Sequence, residues 1–402
     1  MTGVLAPADE AGIAAAVVEA VARREPLLVC GNNTKSGMLR PVQAAHSLST
    51  RDLAGITLYS PHELIISARA GTPLADVEAV LAEHGQHIIA EPPDLALLYG
   101  SCDQQTLGGV IATNLSGPRR VAWGAMRDHL MGIRMVTGRG EAIHSGGRVL
   151  KNVTGLDLCK LLAGSHGTLG VITEVTLKVL PAPEAVGTVV LPGLDATAGV
   201  GALSAALGSP YGVSAAAWLP AAAAARVPQL AAFAGPVALV RIEDFAASVA
   251  YRSIRLREDL GYADAQILDD GASRAVWRAM RELAPLPMEH DDAVWRVSVR
   301  PSAGATVFRT LADEVGMHGY LDWGGGLLWL AGPATAEVHA AVKAAAGVAG
   351  GAWTLMRAPE PLRVVVDVLP PEAEPLARIT RRVKAALDPH SILNPGRMYA
   401  GL

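Results

Sequence analysis

The sequence has few cysteines and no cysteine motif that binds metal. It holds three cysteines among 402 residues, Cys30, Cys102 and Cys159, and no two of them are spaced as C-x-x-C. Three scattered cysteines are too few for a disulfide framework, and they offer neither the ligands of an iron–sulfur cluster nor those of a structural zinc. The sequence therefore predicts a protein of the reducing cytoplasm, in which this chain itself holds no such metal centre.

An excess of positive charge is also missing. There are 34 Lys and Arg residues against 38 Asp and Glu residues, which gives a net charge of −4, and no basic stretch stands out. Nucleic-acid surfaces need clustered positive charge, so no nucleic-acid partner is expected. The eleven histidines are scattered. None forms the close pair beside an acidic residue that binds a catalytic metal, so no metal site is predicted.

The sequence has no uninterrupted apolar run of the length that spans a membrane. Residues 1–10 are acidic and short of hydrophobic residues, so no secretion signal is expected. Residues 196–225 carry no charge, but glycine and proline interrupt them repeatedly. A transmembrane helix needs about 20 predominantly apolar residues in one helix. We interpret this stretch as a buried strand and helix of a second lobe, and no transmembrane segment is predicted.

What the sequence does contain is three loops rich in glycine. The first, residues 30–37, reads Cys-Gly-Asn-Asn-Thr-Lys-Ser-Gly and follows the apolar, strand-like residues 26–29, and the others cover residues 106–117 and 163–173. Glycine and asparagine tolerate positive φ, so successive N–H groups in such loops can converge on a phosphate. Three of them in order predict a site for a long anionic dinucleotide, with Lys35 available to neutralise its charge.

The spacing in the first loop does not match the common nucleotide fingerprints. It lacks the G-x-G-x-x-G of a Rossmann turn and the G-x-x-x-x-G-K-[ST] of a phosphate-binding P-loop. A nicotinamide-binding Rossmann domain is therefore disfavoured. For this loop taken alone, an ordinary turn after a strand remains the alternative.

Apolar periodicity and turn residues divide the chain into short elements. The predicted helices of the first part are 9–24, a helix capped by Thr72 and ended by Gly85, and 157–163. The predicted strands of that part are 27–30, 56–59, 64–70, 132–137, 141–144 and 171–179. Beyond the Pro-Ala-Pro of residues 181–183, a domain boundary, Ala-rich helices alternate with strands at 237–242, 293–299, 327–330 and 362–368. A closing helix, 376–387, carries one apolar face with basic residues around it.

The order of the three loops, with their flanks, resembles the vanillyl-alcohol oxidase type of FAD-linked oxidases, also called PCMH-type. The match includes Glu-Pro-Pro-Asp at 91–94, Trp-Gly-Ala-Met-Arg-Asp at 123–128 and the stretch 152–157, and it extends to the C-terminus. Within that superfamily the chain resembles the E subunits of bacterial glycolate oxidases. The segments that carry this resemblance are Ser-Gly-Pro-Arg-Arg at 116–120, Leu-Asp-Trp-Gly-Gly at 321–325 and Asn-Pro-Gly-Arg-Met-Tyr at 394–399.

The resemblance implies an α+β fold and an FAD cofactor. We expect a PCMH-type FAD-binding module of two subdomains at residues 1–183, an antiparallel α+β cap domain at 184–369, and a C-terminal segment, 370–402, that returns to the module. The residues expected to bind FAD are Gly31, Asn32, Asn33, Thr34, Lys35, Pro93, Thr106, Gly108, Gly109, Thr113, Asn114, Ser116, Gly117, Asp128, Gly167, Gly170 and Ile172.

The function that the resemblance implies is that of an FAD-binding subunit of a glycolate oxidase complex. Such a complex oxidises glycolate-type or D-lactate-type 2-hydroxy acids to 2-oxo acids. The implied partners are a second flavoprotein subunit and an iron–sulfur subunit that receives the electrons, and through them the chain could sit at the inner face of the membrane. Two alternatives stay open: a structural subunit with a vestigial nucleotide site, and a self-sufficient FAD-linked alcohol oxidase.

Oxidation of a 2-hydroxy acid needs a cation for the carboxylate and a base or metal for the hydroxyl proton. The candidate catalytic residues are Arg296, Arg357 and His290. Pairing with a nearby aspartate is the alternative for the arginines, including Arg300 and Arg363, and a surface position is the alternative for His290. No base is evident in the sequence, which favours FAD binding and electron relay over primary substrate oxidation.

Some positions depart from the family pattern. The first loop has Gly-Asn-Asn where three glycines are commoner, Leu156 stands where an aromatic residue is usual, and residues 351–357 replace a segment that contains histidine. Trp123 and Met126 are candidates for contact with the flavin ring, with packing as the alternative for Trp123. Because of the last departure, no cap-side role for histidine is carried over from the family to residues 351–357.

Overall fold

A computed structural model describes residues 3–147 and 156–402. In those ranges the helices are α1 Glu10–Arg23, α2 Leu74–Glu83, α3 Ala96–Tyr99, α4 Leu107–Thr113, α5 Arg120–Trp123, α6 Leu158–Leu162, α7 Ala196–Leu207, α8 Ala221–Ala224, α9 Ala246–Leu260, α10 Asp270–Arg281, α11 Pro301–Val315, α12 Ala336–Val348, α13 Glu360–Val365 and α14 Glu374–Leu387. Four one-turn 3-10 segments join them. The family-like stretch at 152–157 lies outside the described residues except for its last two positions.

The strands of the same ranges form four sheets. They are β1 Gly3–Leu5, β2 Leu27–Cys30, β3 His46–Ser49, β4 Ile56–Ser60, β5 Ile65–Arg69, β6 Gln86–His87, β7 Leu130–Val136, β8 Ala142–Gly146, β9 Val171–Lys178, β10 Leu180–Pro181, β11 Ala185–Pro192, β12 Val213–Leu219, β13 Val237–Asp244, β14 Gln266–Leu268, β15 Ala293–Ser298, β16 His318–Asp322, β17 Leu327–Gly332 and β18 Ala352–Arg357.

Two of these sheets belong to the first part of the chain and one large sheet to the second. A parallel sheet has the order β1-β3-β2, and an antiparallel sheet has the order β4-β5-β9-β7-β8. The large sheet is antiparallel, with the order β14-β11-β13-β12-β16-β17-β15-β18. The small pair β6 and β10 completes the set. The architecture is α+β, so the predicted fold class is confirmed.

The C-terminal segment packs on the parallel sheet. The Leu27 N–H donates to Ile392 O at 2.8 Å, and the Asn394 N–H donates to Leu27 O at 3.1 Å. Ile392 and Leu393 are buried in one core with Ile13 of α1. The division at residues 183 and 369 stays a prediction, and these contacts agree with the expected return of the tail.

Most predicted elements appear, and residues 196–225 form the buried helix and strand α7 and β12 as expected. Every residue of β12 is buried. In the described part of the chain, no helix has both the length and the apolar character that a membrane crossing requires. The predicted helix cap at Thr72 is wrong, because its hydroxyl donates to Arg69 O at 2.7 Å and α2 begins after Pro73 without a side-chain cap.

Two elements near the C-terminus differ from the prediction. The predicted strand at 362–368 is instead helix α13 followed by an irregular segment, because Pro361 lies in the first helical turn, where its fixed φ favours a helix. In α14 the predicted apolar face is largely exposed, with 52% of Leu376 and 58% of Ile379 accessible. The helix packs instead through Lys384, which is buried and donates to Thr168 O, Leu393 O and Asp388 Oδ2.

Candidate functional site

A solvent-open cleft lies between the parallel sheet and helix α4. The three glycine-rich loops all reach it. Of the residues predicted to bind a cofactor, those that line it are Gly31, Asn32, Asn33, Thr34, Lys35, Thr106, Gly108, Gly109, Thr113, Gly167, Gly170 and Ile172.

The first loop contacts the start of α4 directly. A Cβ atom added to Gly31 would lie 2.1 Å from Thr106 Oγ1, so this approach requires glycine. The Asn32 Nδ2 group donates to Gln104 O at 2.8 Å. Thr106 in turn caps α4, because its hydroxyl accepts from the Gly109 N–H at 3.3 Å. The two loops therefore form one continuous wall of the cleft.

Five successive backbone N–H groups, those of residues 31–35, donate to no acceptor within the described part of the chain. All five residues line the cleft. Asn33 has a φ of +56°, in the left-handed region that bends such a loop. Because backbone donors normally find partners, a run of free N–H groups along a cleft is suited to the oxygens of a bound anion.

Lys35 adds positive charge to this wall. Its Nζ lies 2.9 Å from Gln105 Oε1 and 3.5 Å from Thr34 Oγ1, both neutral acceptors. Burial lowers the pKa of Lys35 to about 8, and the Asp94 carboxylate offsets this only in part. A desolvated ammonium group bound by neutral groups gains strongly from a nearby anion.

The third loop is held to the cleft by the C-terminal segment. The Asn394 Nδ2 group donates to His166 O at 2.8 Å and to Val29 O at 3.1 Å, while its Oδ1 accepts from the Val29 N–H at 2.8 Å. Gly167 has a φ of +72°, and a Cβ there would lie 2.8 Å from Asn394 Nδ2. Burial, with the nearby charge of Arg397, lowers the pKa of His166 to about 3, so this ring is neutral.

Five predicted residues do not line the cleft: Pro93, Asn114, Ser116, Gly117 and Asp128. Three of them bind one short segment, because Asn114 Oδ1, Ser116 Oγ and Asp128 Oδ2 each accept a hydrogen bond from a backbone N–H of residues 125–127. Asp128 also pairs with Arg127 at 3.8 Å. Met126 is buried, and Trp123 is about half exposed.

Gly117 is the point where the loop meets the large sheet. Its carbonyl accepts a hydrogen bond from Trp323 Nε1 at 3.1 Å. A Cβ on Gly117 would lie 2.3 Å from Glu91 O, so a glycine is required here too. Trp323 follows β16 directly, and this contact joins the second glycine loop to the end of that strand.

A second polar group of residues, which we name the Arg296 cluster, consists of Arg296, Tyr320, Asp322, Trp323 and Arg120. The strand register aligns Tyr320, Trp329, Arg296 and Thr354 in one row across β16, β17, β15 and β18. Asp322, Leu327 and Ser298 form the next row. Side chains in such rows share one face of a sheet, so Arg296, Tyr320 and Asp322 lie on the same face.

Both arginines of the cluster lack a counter-ion. The guanidinium carbons of Arg120 and Arg296 lie 4.8 and 4.9 Å from the centre of the Trp323 ring. Arg296 Nε is buried without a hydrogen-bond partner, and neither guanidinium pairs with a carboxylate among the described residues. Burial, reinforced by the charge of Arg120, lowers the pKa of Arg296 to about 10. Two unpaired cations at one ring are suited to an anionic ligand.

Asp322 and Tyr320 place two further incompletely paired groups in the cluster. Asp322 Oδ1 accepts from the Trp323 N–H at 2.7 Å, and its Oδ2 accepts no hydrogen bond within the described residues. Burial raises the pKa of the Asp322 carboxyl to about 7, against the hydrogen bond from Trp323 and the charge of Arg241. The Tyr320 hydroxyl is buried without a partner.

Beside this cluster, two arginines and two glutamates form a buried ion quartet, consisting of Glu91, Arg119, Arg241 and Glu243. Arg241 forms two hydrogen bonds of 2.9 Å with Glu91, and Arg119 forms two with Glu243, of 2.6 and 3.0 Å. The cross pairs are 3.2 and 3.4 Å long. Glu91 and Arg119 come from the first part of the chain and the other two from β13, so the quartet bridges the two parts.

The other two catalytic candidates do not join this cluster. Arg357 donates to the backbone oxygens of Leu98, Glu289 and His290, which satisfy its guanidinium. The His290 side chain is 98% exposed and lies 2.9 Å from Asp291. The expected pairing of the cap arginines with aspartate is wrong for all four, since none of them forms such an ion pair among the described residues, and Arg363 donates to two backbone carbonyls instead.

Several residues of the site were not predicted. Asn394 and Arg397 line the cleft, although their Asn-Pro-Gly-Arg segment was named only as carrying the family resemblance. The same is true of Asp322 and Trp323, which belong to the Leu-Asp-Trp-Gly-Gly segment. Polar residues beside glycine pairs or proline were the available signal. In the described ranges no group of three or more His, Cys, Asp or Glu side chains is arranged to hold a metal.

Comparisons with known proteins identify the family of this chain. Residues 1–146 match a family model described as an FAD binding domain. The glycolate oxidase subunit GlcE of Escherichia coli is 33% identical over 386 residues, which is 96% of both chains. A D-lactate dehydrogenase of Archaeoglobus fulgidus is 30% identical over 179 residues, 44% of this chain and 38% of the relative.

Solved structures share the fold at low sequence identity. The 4-ethylphenol oxidase from Gulosibacter chungangensis has a TM-score of 0.70 and 13% identity, covering 99% of this chain and 89% of that one. An alkyldihydroxyacetonephosphate synthase has a TM-score of 0.69 and 16% identity, covering 98% of this chain and 75% of that one. These likenesses confirm the predicted PCMH-type fold.

Proposed function

This chain belongs to the GlcE family of glycolate oxidase subunits and is an FAD-linked oxidoreductase, and from that premise we propose that it is the FAD-binding subunit of a complex that oxidises glycolate-type or D-lactate-type 2-hydroxy acids to 2-oxo acids. The observation that carries the proposal is the run of free N–H groups at residues 31–35, with Lys35 beside them. This is the arrangement that a diphosphate needs.

The residues present fit an FAD molecule whose diphosphate lies in the cleft. Residues 31–35 would bind its oxygens, and Gly108, Gly109, Gly167 and Gly170 line the same cleft. Bound FAD would supply the oxidant, which takes up a hydride, one proton with two electrons, from the α-carbon of the substrate. Outside the cleft, Asn114, Ser116 and Asp128 would act indirectly, by fixing residues 125–127 beside the second loop.

The unpaired positive charges of the Arg296 cluster favour a negatively charged substrate. We assign the substrate carboxylate to Arg296, assisted by Arg120, because both guanidinium groups are unpaired. Arg296, Ser298 and Thr354 are half-buried on one face of the sheet, while Tyr320 and Asp322 behind them are buried. A small acid could therefore reach Arg296 from this side.

The partners we propose are a second flavoprotein subunit and an iron–sulfur subunit that receives the electrons. The subunit name of the Escherichia coli relative supports assembly into a complex. The three cysteines of this chain are free thiols, one of them exposed, one partly buried and one buried. Through such partners the complex could sit at a membrane surface.

An anaerobic titration tests the proposed activity. We expect glycolate or D-lactate to bleach the flavin of the FAD-loaded chain when it is purified with its partners. The Arg296→Met variant should weaken the apparent substrate affinity by roughly two orders of magnitude, since a buried charge partner is lost. Arg300→Met, at an exposed arginine nearby, is the control. Bleaching by no 2-hydroxy acid would contradict the proposal, and full bleaching of the chain alone would favour a self-sufficient enzyme.

Lys35 should make FAD binding depend on pH. A bound diphosphate raises the pKa of Lys35 above the value of about 8 in the free protein. Binding therefore takes up a proton above pH 8, so affinity is greatest below that pH and falls as pH rises through and beyond it. Fluorescence titration of apoprotein with FAD between pH 6.5 and 9.5 measures this dependence. The Lys35→Met variant should lose the slope of FAD affinity against pH, and its affinity at neutral pH should be roughly tenfold to hundredfold lower. An unchanged slope in Lys35→Met would assign the pH dependence elsewhere.

A further inference from the structure

The sequence shows no base for the hydroxyl proton, yet the Arg296 cluster contains a buried carboxylate with a free oxygen. Asp322 is 3% exposed, and its Oδ2 accepts no hydrogen bond in the described ranges. Tyr320, two residues earlier on the same sheet face, has an unpaired buried hydroxyl. Buried polar atoms are nearly always paired, so the two unpaired ones on this face, the Tyr320 hydroxyl and Arg296 Nε, indicate that a ligand binds beside Asp322.

Asp322 lies at a position where its carboxylate could contact the substrate. It ends β16, and the next residue, Trp323, contacts both the Gly117 carbonyl of the second loop and the guanidinium of Arg296. Asp322 therefore lies where the large sheet meets the first part of the chain. The row that contains it also contains Ser298, which is half-buried.

We propose that Asp322 accepts the hydroxyl proton of a 2-hydroxy acid whose carboxylate is bound by Arg296, an inference that rests on the function proposed above. The O–H bond breaks and the proton moves to Asp322 Oδ2, which becomes a neutral carboxylic acid. With FAD bound as the oxidant, the α-hydrogen would leave with its electron pair and the C–O bond would become a double bond. Asp322 then returns the proton to water.

The surroundings of Asp322 hold its carboxyl near the right acidity for this role. Burial raises its pKa to about 7, and the charged groups that face it are Arg241 and Glu91 of the ion quartet and Arg296, with Tyr320 on its own strand. A base works best when its pKa lies near the working pH. Flavin reduction should therefore quicken as pH rises through 7, where the carboxylate form becomes dominant.

A purely structural role is the alternative, because Asp322 also caps the one-turn 3-10 segment at Trp323–Gly325. Asp322→Asn separates the two roles. An asparagine oxygen still accepts the hydrogen bond from the Trp323 N–H, but the amide cannot take up a proton. The control is Asp313→Asn, at an exposed aspartate on α11.

The experiment uses the FAD-loaded full chain in its co-purified complex. We expect Asp322→Asn to retain its flavin and its binding of oxalate, an unreactive dicarboxylate, while the rate of anaerobic flavin reduction falls about 10²–10⁴-fold. A readout independent of turnover is infrared difference spectroscopy between pH 5.5 and 8.5. Wild-type protein and Asp313→Asn should show a carboxylic acid band that disappears with rising pH, and Asp322→Asn should lack it.

The outcomes distinguish this inference from the function on which it rests. If wild-type protein is reduced by glycolate or D-lactate and Asp322→Asn is reduced equally fast, Asp322 is not the proton acceptor and the proposed function stands. If the infrared band persists in Asp322→Asn, the titrating group is another residue and the inference is overturned. If wild-type protein is reduced by no 2-hydroxy acid, both are overturned.

Discussion

Purified Gly109→Glu protein is expected to be folded but colourless. Gly109 lines the cleft and is the third residue of α4, where its N–H donates to the capping Thr106 hydroxyl. Glutamate favours helix and leaves the N–H of residue 109 free to donate to Thr106, so the helix should persist. Its carboxylate would face the FAD diphosphate, however, and like charges about 4 Å apart near a protein surface repel by about 4 kcal/mol. We expect FAD affinity to fall about a thousandfold.

The flavin-to-protein absorbance ratio after purification measures this effect, and a denaturation curve shows that the variant is folded. Gly347→Glu, on an exposed part of α12 where a Cβ meets no atom within 4 Å, is the matched control and should keep its flavin. Gly167→Glu is a poorer test, because its φ of +72° and its contact with Asn394 would strain any side chain. A yellow Gly109→Glu protein would show that the diphosphate lies elsewhere.

Glu91→Gln should destabilise the protein by about 3–5 kcal/mol, the cost of breaking a buried ion pair from one side. Glu91 accepts two hydrogen bonds from Arg241 and lies 3.2 Å from Arg119. Without its charge, the two guanidinium groups share the single carboxylate of Glu243 in a buried setting. Chemical denaturation, followed by fluorescence, measures the loss.

A surface ion pair provides the control for this prediction. Glu258 pairs with Arg255 at 2.7 Å, with both side chains nearly half exposed, so Glu258→Gln should change stability by less than about 1 kcal/mol. An equal effect of the two substitutions would contradict the importance of the quartet.

The quartet also predicts acid sensitivity. Burial alone would raise the pKa of the Glu243 carboxyl, but the guanidinium groups of Arg241 and Arg119 lower it to about 2. A depressed carboxyl pKa contributes stability above the ordinary value near 4.5 that is lost as pH falls toward 2. The free energy of unfolding should therefore fall as pH drops from about 4.5 toward 2, because the ion pairs that join the two parts of the chain are lost.

Local chemistry made much of the fold predictable. Glycine and asparagine in the first loop indicated an anion cradle, and residues 31–35 line a cleft with free N–H groups. Apolar periodicity and turn residues predicted the strands at 132–137 and 141–144, which are β7 and β8. The α+β class and the FAD cofactor were implied by the family resemblance and are confirmed.

Contacts between distant residues were beyond such reasoning. Trp323 and Gly117 are 206 positions apart, so nothing local indicates their hydrogen bond or the cluster that it positions. The same holds for Lys384, whose buried ammonium depends on Thr168, 216 positions away. The apolar pattern of α14 therefore indicated the helix but not the face by which it packs.

Site-resolved hydrogen exchange tests the central claim most directly, because it reports on the individual N–H groups that the account assigns to the diphosphate. Apoprotein and FAD-loaded protein are compared in deuterated buffer at one pH. The account predicts that the amides of residues 31–35 exchange quickly without FAD and slow markedly when it binds. If those five amides exchange equally fast in both states while the protein holds its flavin, the diphosphate is bound by other groups and the account is wrong.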